Sequence, residues 1–308
     1  MRALVTGGAG FIGSGVVDAL LAQGHDVRVL DDLSTGFREN VDGRAELVVG
    51  DVARYDAVRD AADGAEVVFH QAAMRAVLQS VNDPLATDRA NTHGTLTVLK
   101  AAVDAGARRV VSASSSSVYG GADVLPTPES TPLRPRSPYA VSKMAGEHYC
   151  RVFAELYGLE TVSLRYFNVY GPRQRPDSAY AAVVPLFIEA VRTGARPTVH
   201  GDGLQSRSFS YIADVAAANL AAAAAPAEAA RGQAYNISGA QTHTVVDLLD
   251  AVCAQLDRPS EPDHTAPRPG DIRHSWGDPA LAADALGYKA TIDLTAGLAR
   301  TVDWFLAR

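Results

Sequence analysis

The 308-residue chain has only two cysteines, Cys150 and Cys253, and neither has metal-ligand spacing with a histidine. That argues against a disulfide scaffold and against a cysteine-based zinc site, and no metal is expected. The sequence has no long, bare apolar run, so no membrane-spanning segment is expected. Residues 1 to 5, Met-Arg-Ala-Leu-Val, read as the start of a strand rather than a signal peptide, and a cytoplasmic location follows as the expectation. A clustered Lys/Arg stripe is also missing, and the formal net charge is -7, so nucleic acid is not an expected partner. A local basic pocket for a phosphorylated ligand stays open. Repeats and low-complexity tails are absent. The Ala-rich run from Ala216 to Ala230 is broken by Pro226 and carries Glu228, and reads as a helix and its exit.

What remains is ordinary globular composition, 47% hydrophobic and 20% charged, long enough for one large α/β domain with a smaller one appended. The first half alternates apolar runs with helical patterns. Strands are expected at Ala3–Val5, Asp26–Leu30, Glu46–Val49, Glu66–His70, Arg109–Ala113 and Thr161–Tyr166. Helices are expected at Gly13–Gln23, Ala57–Ala62, Pro84–Ala105 and Pro138–Tyr157. That rhythm predicts an α/β fold built on a doubly wound parallel sheet. After about Gly171 the rhythm breaks and Pro, Gly and Arg become frequent. The expected division is 1–170 for the nucleotide-binding domain, with segments near 203–240 returning to it. Residues 171–308 mainly form a smaller substrate-binding domain.

Thr6-Gly7-Gly8-Ala9-Gly10-Phe11-Ile12-Gly13 lies between a strand and a helix. Glycines at 7, 10 and 13 permit a tight turn and let a pyrophosphate approach backbone amides at the helix N-terminus. Asp31 ends the next strand, where a carboxylate binds both ribose hydroxyls of NAD and repels the 2′-phosphate of NADP. NAD is therefore the expected cofactor. Asp51 and Val52, after the third strand, are positioned to reach the adenine edge.

A nicotinamide loop needs a group that moves a proton while a hydride moves. Tyr139 and Lys143 stand four residues apart on an expected helix and so share a face. The ammonium is expected to lower the phenol from about 10 toward working pH. Ser114-Ser115-Ser116-Ser117-Val118-Tyr119-Gly120 follows the strand Arg109–Ala113, at a carboxyl end of the sheet. Serine, tyrosine and lysine together suit alcohol–ketone chemistry.

Over nearly its whole length the chain resembles extended short-chain dehydrogenases/reductases of the nucleotide-sugar epimerase and dehydratase family. The resemblance rests on Thr6–Gly13, Asp31-Asp32-Leu33-Ser34-Thr35-Gly36, His70-Gln71-Ala72-Ala73, Asn91, Ser114–Gly120 and Tyr139–Lys143, then on Leu164–Pro172 and Arg268-Pro269-Gly270-Asp271. It implies a Rossmann domain with a smaller α/β C-terminal domain. Ser115, Tyr139 and Lys143 would be catalytic. Besides Tyr139 and Lys143, the implied NAD contacts are Gly7, Gly10, Phe11, Ile12, Gly13, Asp31, Asp32, Ser34, Thr35, Gly36, Asp51, Val52, Gln71, Ala72, Ala73, Asn91, Ser114 and Tyr166. A UDP-sugar would be held by Ser115, Ser116, Tyr139, Asn168, Arg175, Val183, Arg207, Arg268, Asp271 and Ser275. Arg207 and Arg268 would clamp its phosphates.

In this family, 4,6-dehydratases carry an Asp-Glu pair after the catalytic hydroxyl residue. Ser116 and Ser117 stand there instead, which favours 4-epimerisation through a transient 4-keto sugar. Small Ser275 and the stretch Ala179–Pro185 resemble enzymes that accept N-acetylated sugars. Gln174-Arg175-Pro176-Asp177 instead resembles uronic-acid 4-epimerases, in which the arginine pairs with the C6 carboxylate. UDP-GlcNAc/UDP-GalNAc with UDP-Glc/UDP-Gal is the first reading and UDP-glucuronate the second. A dehydratase, a reductase or a non-catalytic NAD sensor stay as lesser ones. The resemblance also implies a homodimer, paired through Pro84–Ala105 and Pro138–Tyr157.

Overall fold

The computed structural model describes residues 1–177, 181–267 and 272–307. In chain order the first half runs β1 (Arg2–Thr6), α1 (Phe11–Ala22), β2 (Asp26–Asp31), β3 (Glu46–Val49), α2 (Tyr55–Ala61) and β4 (Val67–His70). It continues with α3 (Val77–Asn82), α4 (Pro84–Asp88), α5 (Gly94–Asp104), β5 (Arg109–Ser115), α6 (Pro138–Tyr157) and β6 (Glu160–Tyr166). The second half runs β7 (Val169–Tyr170), α7 (Val183–Thr193), β8 (Thr198–His200), β9 (Ser206–Ser208), β10 (Ser210–Tyr211), α8 (Ile212–Ala224) and β11 (Arg231–Ile237). It ends with β12 (Thr242–Thr244), α9 (Val245–Gln255), β13 (Asp263–Thr265), β14 (His274–Ser275), α10 (Ala280–Leu286) and α11 (Leu294–Leu306).

Seven parallel strands form one sheet in the order β11-β6-β5-β4-β1-β2-β3. The order reverses between β1 and β4, and the crevice at the carboxyl ends of such strands is where doubly wound sheets bind ligands. The inner strands are buried on both faces, so they read as near-continuous apolar runs instead of alternating ones. Val5, Val29, Val67, Val111 and Leu164 pack with α1 and α8 on one face. Leu4, Val68 and Val110 pack with α2, α5 and α6 on the other. A separate apolar cluster joins Phe187, Ile188, Leu248, Val252, Leu298 and Phe305, from α7, α9 and α11. Small sheets, β12-β9-β14 and β13-β8, stand beside it.

The expected strands and helices are present, with ends shifted by a few residues. Helix α6 occupies its expected span. Ser137 caps it by accepting from the Ala140 amide at 3.1 Å, Pro138 fits its first turn, and Gly158 stops it at φ +68°. Two differences matter. The helix expected over Pro84–Ala105 is interrupted by a π-helical turn at Arg89–His93, which carries buried Asn91. Strand β11 follows the Ala-rich helix and its polar exit. Its sequence, Arg-Gly-Gln-Ala-Tyr-Asn-Ile, lacks an apolar run because it is an edge strand, with Arg231 and Gln233 exposed. No helix among the described residues is long and apolar enough to cross a membrane. No group of three metal-ligating side chains occurs among them.

Candidate active site

The loop from β1 to α1 is built so that only glycine fits. Gly7 has φ +70°, and a Cβ there would lie 2.6 Å from the Ala72 amide nitrogen. A Cβ on Gly13 would lie 2.0 Å from the Gly7 carbonyl oxygen. Ala72 and Ala73 extend from the end of β4, so the glycine loop packs directly against that strand end. The first amides of α1 have no partner within the helix and face whatever binds at its N-terminus.

Asp31 closes the other side. Its carboxylate accepts from the Ala9 amide at 2.9 Å and the Leu33 amide at 2.8 Å. Burial pushes its pKa up despite those two hydrogen bonds, and Asp32 adds to the rise. A carboxylate with spare lone pairs, short of water, seeks further donors such as ribose hydroxyls. Asp32 accepts from the Ser34 hydroxyl at 2.6 Å and shapes the turn toward Thr35 and Gly36. Phe37 then returns to the glycine loop, its amide donating to the Ala9 carbonyl at 3.0 Å. The side-chain-free glycines, the helix N-terminus and the Asp31 carboxylate suit a dinucleotide with free ribose hydroxyls.

Other expected cofactor residues serve one another. Asp51 pairs with Arg89 at 2.5 Å and accepts from the Ala53 amide at 2.8 Å. Burial opposes these contacts, yet together they hold its carboxyl below the ordinary range. Val52 packs near Gly94, where an added Cβ would sit 3.1 Å from its methyl. Gln71 and Tyr166 both bond to Asn219, and burial raises the Tyr166 phenol to about 12. Asn91 accepts from the Met74 amide at 2.8 Å, and donates to the Met74 carbonyl and the Ser142 hydroxyl at 3.0 Å. The π turn thus pins the loop after β4 to α6.

Strand β5 and helix α6 bring Ser115, Tyr139 and Lys143 together. The Ser115 hydroxyl faces the Tyr139 phenol, and accepts from the Ser117 amide at 3.2 Å. The Lys143 ammonium donates to the Ala113 carbonyl at 2.8 Å and lies 6.0 Å from the centre of the Tyr139 ring. The expectation that Lys143 lowers the phenol is therefore corrected. The ammonium reaches past the ring to β5. Burial pushes the phenol up, and what lowers it is the Ser115 hydroxyl and the Arg75 guanidinium. Burial also brings Lys143 down to about 8, against Cys150 and the carboxylate of Glu147. His70 lies between the Thr6 and Thr95 hydroxyls at 2.8 and 3.0 Å, and burial, aided by Lys143, brings it to about 3.

On the substrate side, Ser275 and Arg207 are direct partners in the β14–β9 ladder. Arg207 donates to the Ser206 carbonyl at 2.9 Å. Asn168 has φ +33° and donates to the Ser208 carbonyl at 3.1 Å, beside the same strand. Val183 opens α7 and packs on the second core. Arg175 stacks over the Phe37 ring at 4.1 Å and pairs with Asp177. Ser116 begins the 3-10 turn Ser116–Tyr119, whose Ser117 hydroxyl is buried without a hydrogen-bond partner. Arg268 and Asp271 lie outside the described residues, as does Ala179-Tyr180.

The sequence places Arg75 in the segment Met74–Ser80 after the fourth strand, expected to cover the sugar, and in the structure it faces Tyr139. Two groups were not singled out from sequence. Glu147 and Arg165 form a buried two-pronged ion pair at 2.7 and 2.9 Å. Glu147 had one readable signal: it continues the 139–143 spacing by another four residues. Arg165 had only its position in Leu164–Pro172.

The chain is similar to a UDP-glucose 4-epimerase of Mycolicibacterium smegmatis, 41% identical over 99% of this chain and 98% of that one. Its fold is similar to the UDP-glucose 4-epimerase of Thermotoga maritima solved with UDP-glucose. There the TM-score is 0.95 at 36% identity, covering 100% of this chain and 99% of that one. It is also similar to the UDP-N-acetylglucosamine 4-epimerase of Methanobrevibacter ruminantium in complex with UDP-N-acetylmuramic acid. That match has TM-score 0.93 at 36% identity, covering 99% of this chain and 98% of that one. A family model for the NAD dependent epimerase/dehydratase family matches residues 3–238, and the chain belongs to that family.

Proposed function

We propose that this protein is a UDP-sugar 4-epimerase that inverts C4 through a transient 4-keto sugar. The observation that carries the reading is the Ser115–Tyr139–Lys143 set beside a serine turn. That set can move one proton to and from a hydroxyl. The turn supplies no carboxylate to eliminate water.

Bound NAD supplies the acceptor and then the donor of the C4 hydride. Tyr139 takes the C4 hydroxyl proton as the ketone forms, while Ser115 holds the same oxygen by hydrogen bond. The Arg75 guanidinium is the cation that favours the phenolate in this low-water pocket. Arg207 and Asn168 hold the diphosphate end, so the 4-keto sugar can turn about that link and present its other face. Tyr139 then returns the proton to the oxygen on the inverted carbon. One tyrosine serves as base and then acid within a turnover.

For the sugar, UDP-GlcNAc/UDP-GalNAc together with UDP-Glc/UDP-Gal is the favoured set. Small Ser275 next to Arg207 supports it, since it leaves room near the diphosphate side. UDP-glucuronate rests on Arg175, whose guanidinium is already engaged by Phe37 and Asp177. We also infer a homodimer; exposed Leu85, Val141, Val152, Leu156 and Tyr157 on α4 and α6 support it. The test is a panel of UDP-Glc, UDP-GlcNAc and UDP-GlcA incubated with the purified protein without added NAD. Epimers of the first two are expected; epimer from UDP-GlcA alone would move the assignment to the uronate.

A further inference from the structure

Three consecutive residues at the end of β5 each face one of three successive turns of α6. The Ala113 carbonyl accepts from Lys143 at 2.8 Å, the Ser114 hydroxyl donates to Glu147 at 2.5 Å, and Ser115 faces Tyr139. The first and last grips belong to the reacting set. The middle one does not, and it has the most elaborate support.

The Glu147 carboxylate accepts from Ser114 and Arg165 Nε on one oxygen and from Arg165 Nη2 on the other. Arg165, on β6, also donates to the Tyr119 hydroxyl at 2.8 Å and stacks over that ring at 5.0 Å. Tyr119 donates to Asn236 of β11 at 2.7 Å, and Asn236 donates to the Thr127 carbonyl at 2.9 Å. Glu147 and Arg165 side chains are only 8% and 6% exposed. So one carboxylate connects the end of β5 to α6, β6, the serine turn and β11. A buried charge held by three hydrogen bonds is fixed in place far more firmly than a solvated one.

We propose that Glu147 is a positioning residue for the Ser115–Tyr139–Lys143 set: through Ser114 it fixes the end of β5, and by its charge it holds Lys143 as an ammonium. It touches no reacting atom. The inference rests on the epimerase reading for its kinetic part alone.

The electrostatic surroundings make the charge effect specific. Lys143 is faced by Glu147 and Cys150 on its own helix, by His70 on β4 and by the Ala113 carbonyl on β5. Cys150 is held up at about 11 by burial and His70 near 3, so both are neutral around pH 8. Arg165 and Ser114 face Glu147 from β6 and β5, Tyr119 faces Arg165 from the serine turn, and Glu129 lies beside Arg165 and Asn236. Cys150 and Glu147, the latter one helical turn from Lys143, both act on it against burial.

The chain has three lysines, Lys100, Lys143 and Lys289. A titration with 13Cε-labelled lysine thus follows Lys143 directly, without any assay of activity. In the wild type it is expected to titrate near 8. In Glu147→Gln, of the same shape without the charge, Lys143 is expected about one unit lower, and the alkaline limb of kcat shifts down with it. Ser114→Ala keeps the ion pair and removes only the strand link. It is expected to lower kcat about tenfold at unchanged KM, with the Lys143 titration unmoved. An unshifted Lys143 in Glu147→Gln overturns the electrostatic half, and unchanged kcat in Ser114→Ala overturns the positional half. Should Glu147→Gln fail to fold, Ser114→Ala decides. Should no UDP-sugar turn over in the wild type, the epimerase reading fails while the lysine titration still tests Glu147.

Discussion

Two arginine–carboxylate pairs, one beneath the main sheet's reacting set and one between the small sheets, differ in kind. Beneath the reacting set, Arg165 and Glu147 are 6% and 8% exposed and bound into a chain of hydrogen bonds. On the substrate side, Arg273 and Asp202 pair at 2.7 Å with side chains 53% and 51% exposed. The first pair is desolvated, so losing one partner leaves a buried charge and costs about 3–5 kcal/mol. The second is screened by water and exchanges one solvated state for another. On the proposed epimerase reading, the proton chemistry stands on a buried, hydrogen-bonded frame, whereas the proposed substrate side carries exposed, solvated pairs. Arg175 fits the second kind, held by a ring face and a solvated aspartate rather than by a network.

Breaking the rigid frame at the cofactor loop should have the largest effect. Gly13→Ala brings a methyl to 2.0 Å from the Gly7 carbonyl oxygen, a contact neither backbone can relieve without moving β1 or α1. The expected outcome is loss of bound NAD and of all turnover, read by cofactor content after purification. A variant that retains stoichiometric NAD would show the loop to be softer than its contacts suggest.

An intermediate effect is expected from His70, which sits inside the frame between Thr6 and Thr95. Its folded pKa is about 3 against 6.5 when free. Between those values the unfolded chain binds the extra proton, so stability is lost as pH falls below about 6.5. The full shift corresponds to an upper bound on the order of 5 kcal/mol. Urea unfolding from pH 7 to pH 4 should show this slope in the wild type and a shallower one in His70→Gln. Equal slopes would remove His70 as the cause.

The smallest effect is expected at the exposed pair. Asp202→Asn should leave the melting temperature and kcat unchanged within error, because Arg273 stays solvated. A clear loss of kcat there would mean that the substrate side is as preorganised as the catalytic side, and the contrast would fall.

What the sequence disclosed follows the same division. Gly7–Gly13, Asp31 and Tyr139–Lys143 were legible because each encodes its geometry within a few residues. The α6 boundaries were legible from Ser137-Pro138 and Gly158. Glu147–Arg165 was not, since its partners are 18 residues apart and meet only when α6 lies across β6. The inward turn of Asn91 depends on a π-helical turn that periodicity does not reveal. Strand β11 escaped notice because an edge strand needs no apolar run. The expected lysine-to-tyrosine influence was read from helical spacing alone. It missed that a nearer acceptor, the Ala113 carbonyl, takes the ammonium.

The central claim is that this buried frame lets one tyrosine remove and return a proton while C4 is inverted. The most direct measurement incubates the protein, without added NAD, with UDP-glucose and UDP-N-acetylglucosamine carrying deuterium at C4, followed by proton NMR. The account predicts the C4 epimers with deuterium still on C4, and no net change in NADH absorbance. A 4-keto-6-deoxy product, or epimers that have exchanged C4 deuterium for solvent protons, would contradict it.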